Sequence, residues 1–328
     1  MKVLFIGGTG NISTEVSKLC VKNEIDLFLL NRGKRNVKIE GANEIIGDIS
    51  DIESCIKVLE NHNWDVVVNW IAFTKQDVEN DIKLFSGKTK QYIFISSASA
   101  YQKPPSSPFI TESTPLKNPF WQYSRNKIEC EETLMNEYRN NDFPVTIVRP
   151  SLTYDTVIPL PIGGWQEYTI VDRIKKGKKI IVHGDGTSLW TIMHAKDFAK
   201  GFIGLLGHQQ VIGESFHITS DEILTWNQIH EALAEAVGNK ANIVHIPSEV
   251  LAEYDENLTG GLLGDKAHSV IFDNSKIKRY VPNFTATIPF KQGIKNTIDW
   301  FEADQKRQII KEETNDWFDK VISDFEKH

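Results

Sequence analysis

Short apolar runs recur through the first half of the chain and alternate with stretches of helical pattern or length. The helical stretches include Thr14–Asn23 and Asp51–Asn61. The apolar runs are Val3–Ile6, Asp26–Leu30, Asn43–Ile46, Val66–Trp70, Tyr92–Ser96 and Val145–Arg149. Because most of these runs are apolar without interruption, they are typical of strands buried on both faces. The alternation predicts an α/β fold with a doubly wound parallel sheet.

The second half of the chain is patterned differently. Tyr154–Gly164 is rich in proline and glycine, which predicts a loop. Helices are expected in Ala195–Leu206, Trp226–Val237 and Lys291–His328. Two apolar segments, Ile180–Val182 and Phe216–Ile218, are expected to return to the sheet as strands. We therefore predict a Rossmann dinucleotide-binding domain over residues 1–153 and a smaller, mainly substrate-binding C-terminal lobe over residues 154–328.

The composition is that of a globular protein without an electrostatic preference for polyanions. Of 328 residues, 40% are hydrophobic and 25% charged, and the formal net charge is -7, so neither nucleic acid nor an anionic membrane is an expected partner. No apolar run approaches the roughly 18 residues of a membrane helix, and Met1–Gly8 lacks the pattern of a signal peptide. Cys20, Cys55 and Cys130 lack metal-ligand or redox spacing. We expect a cytoplasmic protein without a metal site.

A glycine-rich segment lies directly between the first predicted strand and the first predicted helix. From Gly7 to Ser13 it reads Gly-Gly-Thr-Gly-Asn-Ile-Ser. Small residues permit a tight turn and let backbone N–H groups approach a pyrophosphate, while the helix N-terminus adds partial positive charge. The alternative is a structural turn, but the position in the chain favours a dinucleotide site. The expected contacts are Gly7, Thr9, Gly10, Asn11 and Ile12.

The ends of the second and third predicted strands bear on the choice of cofactor. An acidic residue after the second strand would bind the ribose hydroxyls of NAD, but this chain has Asn31 and Arg32 there. Because arginine can make a forked contact with a 2′-phosphate, the pair favours NADP over NAD. The alternative is a solvated arginine in an NAD enzyme. Asp48 and Ile49 are expected near the adenine, although an aspartate there can also be a turn residue or helix cap.

Tyr123 and Lys127 are four residues apart and would share one face of a helix. A free tyrosine has a pKa of about 10, so acting as a base near neutrality requires about 4 kcal/mol. An ammonium about 4 Å away, at an effective dielectric near 20, supplies an interaction of that size. The pattern alone is common on surface helices. Ser97, at the end of an apolar strand where open sheets bind ligands, favours a reactive centre instead.

In order and spacing, these residues resemble the extended short-chain dehydrogenase/reductases, or NAD-dependent epimerase/dehydratase family. The matching positions are Gly7, Gly10, Asp48, Asn69 to Ala72, Ser97 with Tyr101, Tyr123 with Lys127, and His194 to Asp197. The resemblance implies that Tyr123 is the general acid/base, that Lys127 lowers its pKa and holds the nicotinamide ribose, and that Ser97 orients the substrate oxygen. It also implies cofactor contacts at Trp70 and Ala72, and hydride transfer between the substrate and the nicotinamide.

Two pairs of positions depart from the family pattern. Ala98 and Ser99 stand where family dehydratases have an acidic pair, so elimination of water is disfavoured. Leu152 and Trp190 stand where sugar-nucleotide enzymes of the family commonly have an Asn and an Arg. Because neither residue replaces those hydrogen bonds to a diphosphate, a nucleotide-diphosphate sugar is less strongly indicated than the family implies.

Aromatic residues are concentrated near the predicted centre. Besides Ser97, the expected substrate contacts are Phe73, Trp121, Trp165, Trp190 and His194. Each aromatic could instead be a core residue, and His194 a packed or capping histidine. Together they predict a small-molecule pocket with apolar walls and a few polar anchors.

We therefore predict an NAD(P)-dependent epimerase or oxidoreductase acting on a hydroxyl or carbonyl of a sugar or sugar-like substrate. The sequence does not separate epimerisation from net oxidation or reduction. The alternative is a non-catalytic relative of the same fold, either an NAD(P)-binding sensor or an RNA-binding protein. The resemblance also leads us to expect a homodimer formed through the helix that carries Tyr123 and Lys127.

Overall fold

Strands and helices alternate from the start of the chain in a computed structural model that describes residues 1–33 and 37–327. The described strands are β1 Lys2–Ile6, β2 Asp26–Asn31, β3 Asn43–Ile46, β4 Val66–Asn69, β5 Tyr92–Ile95, β6 Phe109–Ile110, β7 Val145–Pro150, β8 Leu152–Tyr154, β9 Lys179–His183, β10 Leu189–Trp190, β11 Ile192–His194, β12 Ser215–Ile218, β13 Leu224–Thr225, β14 Asn242–Ile246 and β15 Ile271–Phe272. The described α-helices are α1 Ser13–Lys22, α2 Ile52–Leu59, α3 Lys75–Phe85, α4 Gln122–Asn141, α5 Thr169–Lys175, α6 Ala195–Ile203, α7 Trp226–Ala236, α8 Ser248–Tyr254, α9 Asn257–Gly261, α10 Ser275–Tyr280, α11 Phe290–Glu302 and α12 Glu312–Phe325.

Seven of these strands form a central parallel sheet in the order β12-β7-β5-β4-β1-β2-β3. The chain runs outward from β1 to β3 and then crosses back to place β4 on the other side of β1. In an open α/β sheet, the point where the winding reverses leaves a crevice at the carboxyl ends of the strands. The predicted doubly wound Rossmann fold is confirmed, and its crevice lies between β1 and β4.

The apolar sequence of the strands follows from burial on both faces. In β1, Val3 and Phe5 pack into the core on one side of the sheet, and Leu4 and Ile6 into the core on the other. All four side chains are fully inaccessible to solvent. An uninterrupted apolar strand is therefore what this position requires.

The two strands expected to return to the sheet have different locations. Phe216–Ile218 lies in β12, which pairs with β7 at one edge of the central sheet. The expectation for Ile180–Val182 is wrong, because β9 pairs with β14 in a separate parallel sheet of two strands within the C-terminal half. The apolar run correctly predicts a buried strand, but it does not indicate which strand pairs with it.

The C-terminal half has its own apolar core. Trp190 and Trp226 pack together in it, with ring centroids 5.7 Å apart. The expected helical segment 291–328 is two helices, α11 and α12, and residues 303–311 connect them. None of the helices that the structure describes is long and apolar enough to cross a lipid bilayer.

Candidate active site

A cavity of about 1290 Å³ opens at the carboxyl ends of the central strands. The turn after β1 lines it, as do Ser97 after β5 and the start of α4 with Tyr123 and Lys127. The wall beyond the reactive side chains comes from the C-terminal half, including residues 257–258 and 261–262. Most of the expected cofactor and substrate positions therefore face one space.

The turn after β1 approaches its neighbours too closely for side chains. Gly7 and Gly8 have φ angles of +95° and +99°, a region that L-residues rarely adopt. A Cβ on Gly8 would lie 2.7 Å from Leu29 Cδ2. Ser13, which replaces the usual third glycine, is buried and its Oγ accepts a hydrogen bond from the Gly10 N–H at 2.8 Å. This hydrogen bond from the loop backbone to Ser13 therefore stabilises the loop.

Asn11 and Ile12 line the cavity in different ways. The side chain of Asn11 donates to the Thr153 carbonyl oxygen at 2.8 Å and accepts from the Asp155 N–H at 3.1 Å, so it ties the loop to the segment after β7. Ile12 is the N-cap of α1 and offers no side-chain cap. The N–H of Thr14 donates to the Gly10 carbonyl oxygen at 3.0 Å, and the positive end of the helix dipole faces the cavity.

The end of β2 carries the residues expected to choose between NAD and NADP. With its amide oriented to suit both neighbours, Asn31 donates to the Gly7 and Leu30 carbonyl oxygens at 2.8 and 3.2 Å. Arg32 lines the cavity with its side chain 59% exposed, and its Nη1 lies 3.9 Å from Asp48 Oδ2. Asn31 therefore supports the glycine loop, while the guanidinium of Arg32 reaches the space beside Asp48 and Ile49.

Ser97 and Tyr123 both line the cavity. The Ser97 side chain interacts with the phenol and lowers the pKa of Tyr123. Ser97 Oγ also lies 2.9 Å from Ser99 Oγ, which in turn accepts from the Ser124 hydroxyl at 2.7 Å. Ser99 and Ser124 therefore hold the hydroxyl of Ser97 in position.

Lys127 is held behind Tyr123 by backbone carbonyls. Its Nζ donates to the carbonyl oxygens of Ala72 at 2.6 Å and Ile95 at 2.7 Å, and it lies 4.6 Å from the centre of the Phe73 ring. The side chain is 2% exposed. Burial lowers the pKa of the ammonium to about 8. Ala72 is itself buried, so its contribution here is the carbonyl that orients Lys127.

We expected Lys127 to lower the pKa of Tyr123, but the pKa is raised. Burial is the largest influence and raises the pKa above the usual tyrosine value, and the interaction with Ser97 opposes this only in part. Lys127 Nζ lies 5.8 Å from the centre of the phenol ring and is directed to the two carbonyls. In this arrangement Tyr123 is a neutral phenol near neutral pH.

Four of the aromatic residues expected at the substrate line the cavity: Phe73, Trp121, Trp165 and Trp190. Phe73 and Trp165 are about half exposed, and Trp165 has a φ of +63°, an uncommon conformation for a bulky residue. Trp190 is 2% exposed, and its Nε1 has no hydrogen-bond partner. Trp70 also lines the cavity, and it packs on Phe5 of β1.

His194, an expected substrate contact, lies apart from the other expected substrate residues. The structure places its ring outside the cavity lining, 5.2 Å from the centre of the Tyr154 ring. Its Nδ1 accepts from the Lys196 N–H at 3.2 Å and so caps α6. Burial lowers the pKa of His194 to about 4, which leaves a neutral capping histidine.

Sequence reasoning missed the part of the cavity formed far along the chain. Asp265 and Lys266 line it, at the end of a short π-helix, Leu262–Lys266. No local motif marks them, because they reach the cavity through tertiary packing. Ser96 and Ser151, which also line the cavity, were missed as well. The serine cluster at residues 96–99 was the signal that could have indicated Ser96.

The model of the NAD-dependent epimerase/dehydratase family matches residues 3–219. The chain belongs to this family. The match covers the central sheet from β1 to β12 and includes the glycine loop, Ser97 and the Tyr123/Lys127 pair. It confirms the resemblance identified from the motifs.

Individual relatives differ in their reported roles. The chloroplast stem-loop binding protein of 41 kDa b from Arabidopsis thaliana is 28% identical over 74% of this chain, and the match spans only 65% of that protein. The 2′-dehydrokanamycin reductase of Streptomyces kanamyceticus is 21% identical over 87% of this chain and 80% of its own length. The dTDP-glucose 4,6-dehydratase of Bacillus anthracis, solved with NAD, has a TM-score of 0.73 and 18% identity over 98% of this chain and 99% of its own. At that identity, the structural similarity shows the fold.

The residues present fit a dinucleotide. Gly7, Gly8 and Gly10 present only backbone to the cavity, and the N-terminus of α1 faces it without a side-chain cap. Backbone N–H groups at the start of a helix are suited to a pyrophosphate.

The lowered pKa of Lys127 predicts how stability depends on pH. The folded pKa of about 8 lies below the unfolded value near 10.5, so the unfolded state binds more protons between these values and stability rises with pH there. We expect the free energy of unfolding of the natural protein, minus that of Lys127→Met, to grow by up to about 3 kcal/mol between pH 7.5 and 10.5. Urea unfolding of both proteins measures it, and a difference that stays flat would contradict the assignment.

Proposed function

We propose that this protein is an NAD(P)-dependent epimerase or oxidoreductase that acts on a hydroxyl or carbonyl of a sugar or sugar-like molecule. The observation that carries the proposal is the convergence of Ser97, Tyr123 and Lys127 on one cavity beside the glycine loop. Membership in the epimerase/dehydratase family supports it.

The three side chains have complementary roles in this proposal. Ser97 and Tyr123 line the same cavity and their side chains interact, so both hydroxyls can contact one substrate oxygen. Tyr123 transfers the proton to or from that oxygen, and Ser97 holds the oxygen in position. A nicotinamide dinucleotide, when bound, supplies the hydride donor or acceptor. Lys127, held by Ala72 and Ile95, places a positive charge behind the phenol and binds the nicotinamide ribose.

The neutral state of Tyr123 favours its role as a proton donor to a carbonyl oxygen. Because burial raises its pKa, the phenol retains its proton near neutrality. Reduction of a ketone needs a group in that state, whereas oxidation of an alcohol needs the phenolate. The name of the Streptomyces relative also describes a reductase.

Dehydration is the least supported of the family's reactions. Ala98 carries no functional group, and the hydroxyl of Ser99 is engaged by Ser97 and Ser124. Neither position has a carboxylate that could remove and return a proton during loss of water. We expect the part of the substrate beyond the reacting carbon to contact the aromatic surfaces of Phe73, Trp121, Trp165 and Trp190.

The cofactor proposed is NAD or NADP, with NADP favoured. The guanidinium of Arg32 is half exposed at the end of β2, where it can pair with a 2′-phosphate. Asp48, 3.9 Å away, competes for the same guanidinium.

A stem-loop RNA-binding role is the alternative, favoured by the name of the Arabidopsis relative. The net charge of -7 and the retained Tyr123/Lys127 pair speak against it. An RNA hairpin that binds tightly at 150 mM salt, with no turnover of any sugar tested, would favour this role. A homodimer and a cytoplasmic location remain predictions.

Tyr123→Phe should lower kcat about 100- to 10,000-fold, because it removes the proton donor while leaving the ring in place. The substrate is first sought in a screen of sugars and sugar nucleotides that follows NAD(P)H absorbance, together with a product assay for internally balanced epimerisation. Dinucleotide affinity, measured by calorimetry, should change little. Tyr138→Phe is the matched control, since Tyr138 lies on the same helix and outside the cavity lining. Full activity in Tyr123→Phe would contradict the catalytic assignment.

Arg32→Ala should weaken NADP binding about 10-fold more than NAD binding, because only NADP carries the 2′-phosphate. Titration of each dinucleotide into the natural and variant proteins measures the two affinities. Arg139→Ala, an exposed position at the end of α4, is the control. Equal losses for both dinucleotides would remove the argument for NADP.

A further inference from the structure

Asp81, on α3, is a buried carboxyl group that has no role in the proposed reaction. It is fully inaccessible to solvent, and burial raises its pKa to about 7. Within residues 1–33 and 37–327, no lysine, arginine or histidine forms an ion pair with it, and its Oδ1 has no hydrogen-bond partner. Such a group lowers stability relative to an apolar side chain of similar size. What it offers that an apolar residue lacks is two hydrogen bonds.

The two donors to Asp81 lie on neighbouring strands of the central sheet. Asn69 Nδ2 at the end of β4 and the Tyr92 hydroxyl at the start of β5 both donate to Asp81 Oδ2. An asparagine amide donates from its nitrogen and accepts at its oxygen. Because the nitrogen faces Asp81, the oxygen is left for the Ile71 N–H, which donates to it at 2.8 Å. Asp81 therefore determines which way the Asn69 amide points.

The turn that this amide holds lies between the glycine loop and Lys127. A Cβ on Gly7 would lie 3.3 Å from both Ile71 Cγ2 and Trp70 Cβ, so the loop and the turn are in direct contact. The next carbonyl oxygen, of Ala72, accepts from Lys127 Nζ at 2.6 Å. A displacement of the turn would therefore move a wall of the cofactor site and an acceptor of the buried ammonium together.

The same helix holds the other end of the turn. Asp77 lies one helical turn before Asp81, and its Oδ2 accepts from the N–H groups of Phe73 and Thr74, both at 2.9 Å. Two carboxyl groups of α3 thus hold the two ends of residues 69–74. Asp77 does so at the cavity lining, whereas Asp81 does so from the core.

We propose that Asp81 is a positioning residue for the cofactor side of the active site. Through the Asn69 amide, it fixes the turn that contacts the glycine loop and that supplies the Ala72 carbonyl to Lys127. It contacts neither cofactor nor substrate. The inference rests on the proposed function for its consequence in cofactor binding, but its effect on Lys127 is measurable in the protein alone.

The first test is an NMR titration of the full-length protein with isotope-labelled lysine, in which Lys127→Met identifies the Lys127 signal. The pKa of Lys127 in the natural protein is about 8. Asp81→Leu leaves the Asn69 amide without its acceptor and should lower the pKa of Lys127, because a buried ammonium that loses a carbonyl partner is less easily kept charged. Asp81→Asn retains an acceptor oxygen and should leave that pKa unchanged.

The second test is calorimetric titration with NAD and NADP at a temperature where every variant is folded by circular dichroism. Asp81→Leu should weaken dinucleotide binding about 10-fold, and Asp81→Asn should stay within about twofold of the natural protein. Tyr92→Phe is the matched control, because it removes the other donor to the same carboxyl group and leaves the Asn69 contact in place. It should lower stability without changing either the pKa of Lys127 or the affinity.

The outcomes separate this inference from the proposed function. An unchanged pKa of Lys127 in folded Asp81→Leu overturns the positioning role, whatever the affinity. If Asp81→Leu does not fold, Asn69→Ala takes its place with the same expectations, because it removes the amide that joins Asp81 to the turn. A lowered pKa of Lys127 in a protein that binds neither dinucleotide supports the positioning role and contradicts the proposed function.

Discussion

The ammonium group of Lys127 joins three elements at the centre of the sheet. Its hydrogen bonds to the carbonyl oxygens of Ala72 and Ile95 connect α4 to the segments that follow β4 and end β5. A buried ammonium must keep such partners, because losing them leaves a desolvated charge. Since Ser97 follows Ile95 by two positions and Tyr123 precedes Lys127 by one helical turn, this contact fixes both hydroxyls relative to the cavity.

Contacts between uncharged groups join the C-terminal half to the same reactive centre. The amide of Asn118 spans Ser99 and Gly264, and a Cβ on Gly260 would lie only 2.3 Å from Trp121 Cδ1. The backbone of α9 and of the π-helix therefore lies directly against the residues that precede Tyr123. These contacts join the C-terminal wall of the cavity to the reactive side chains, although the two come from distant parts of the sequence.

The sequence predicted some features of the structure and not others, because each pattern reflects one particular physical requirement. The strands of the central sheet were predictable because burial on both faces demands apolar runs, and the glycine loop because only small residues fit it. The partner of Ile180–Val182 was not predictable, since its apolar pattern is equally satisfied by β14. His194 lies outside the cavity lining and caps α6, a position that the sequence motif alone did not indicate. Asp265 and Lys266 were missed because tertiary packing alone brings them to the cavity.

The environment of Tyr123 favours one direction of the proposed chemistry. A neutral phenol beside a charged Lys127 is ready to donate a proton to a carbonyl oxygen, whereas the reverse step must create a phenolate in a site where burial raises the tyrosine pKa. An epimerase must take both directions within one turnover, so its acid/base group must change state twice. A net reductase needs only the first, with the proton replaced from solvent between turnovers. In either proposed reaction, burial of Tyr123 therefore makes the step that forms the phenolate the more costly one.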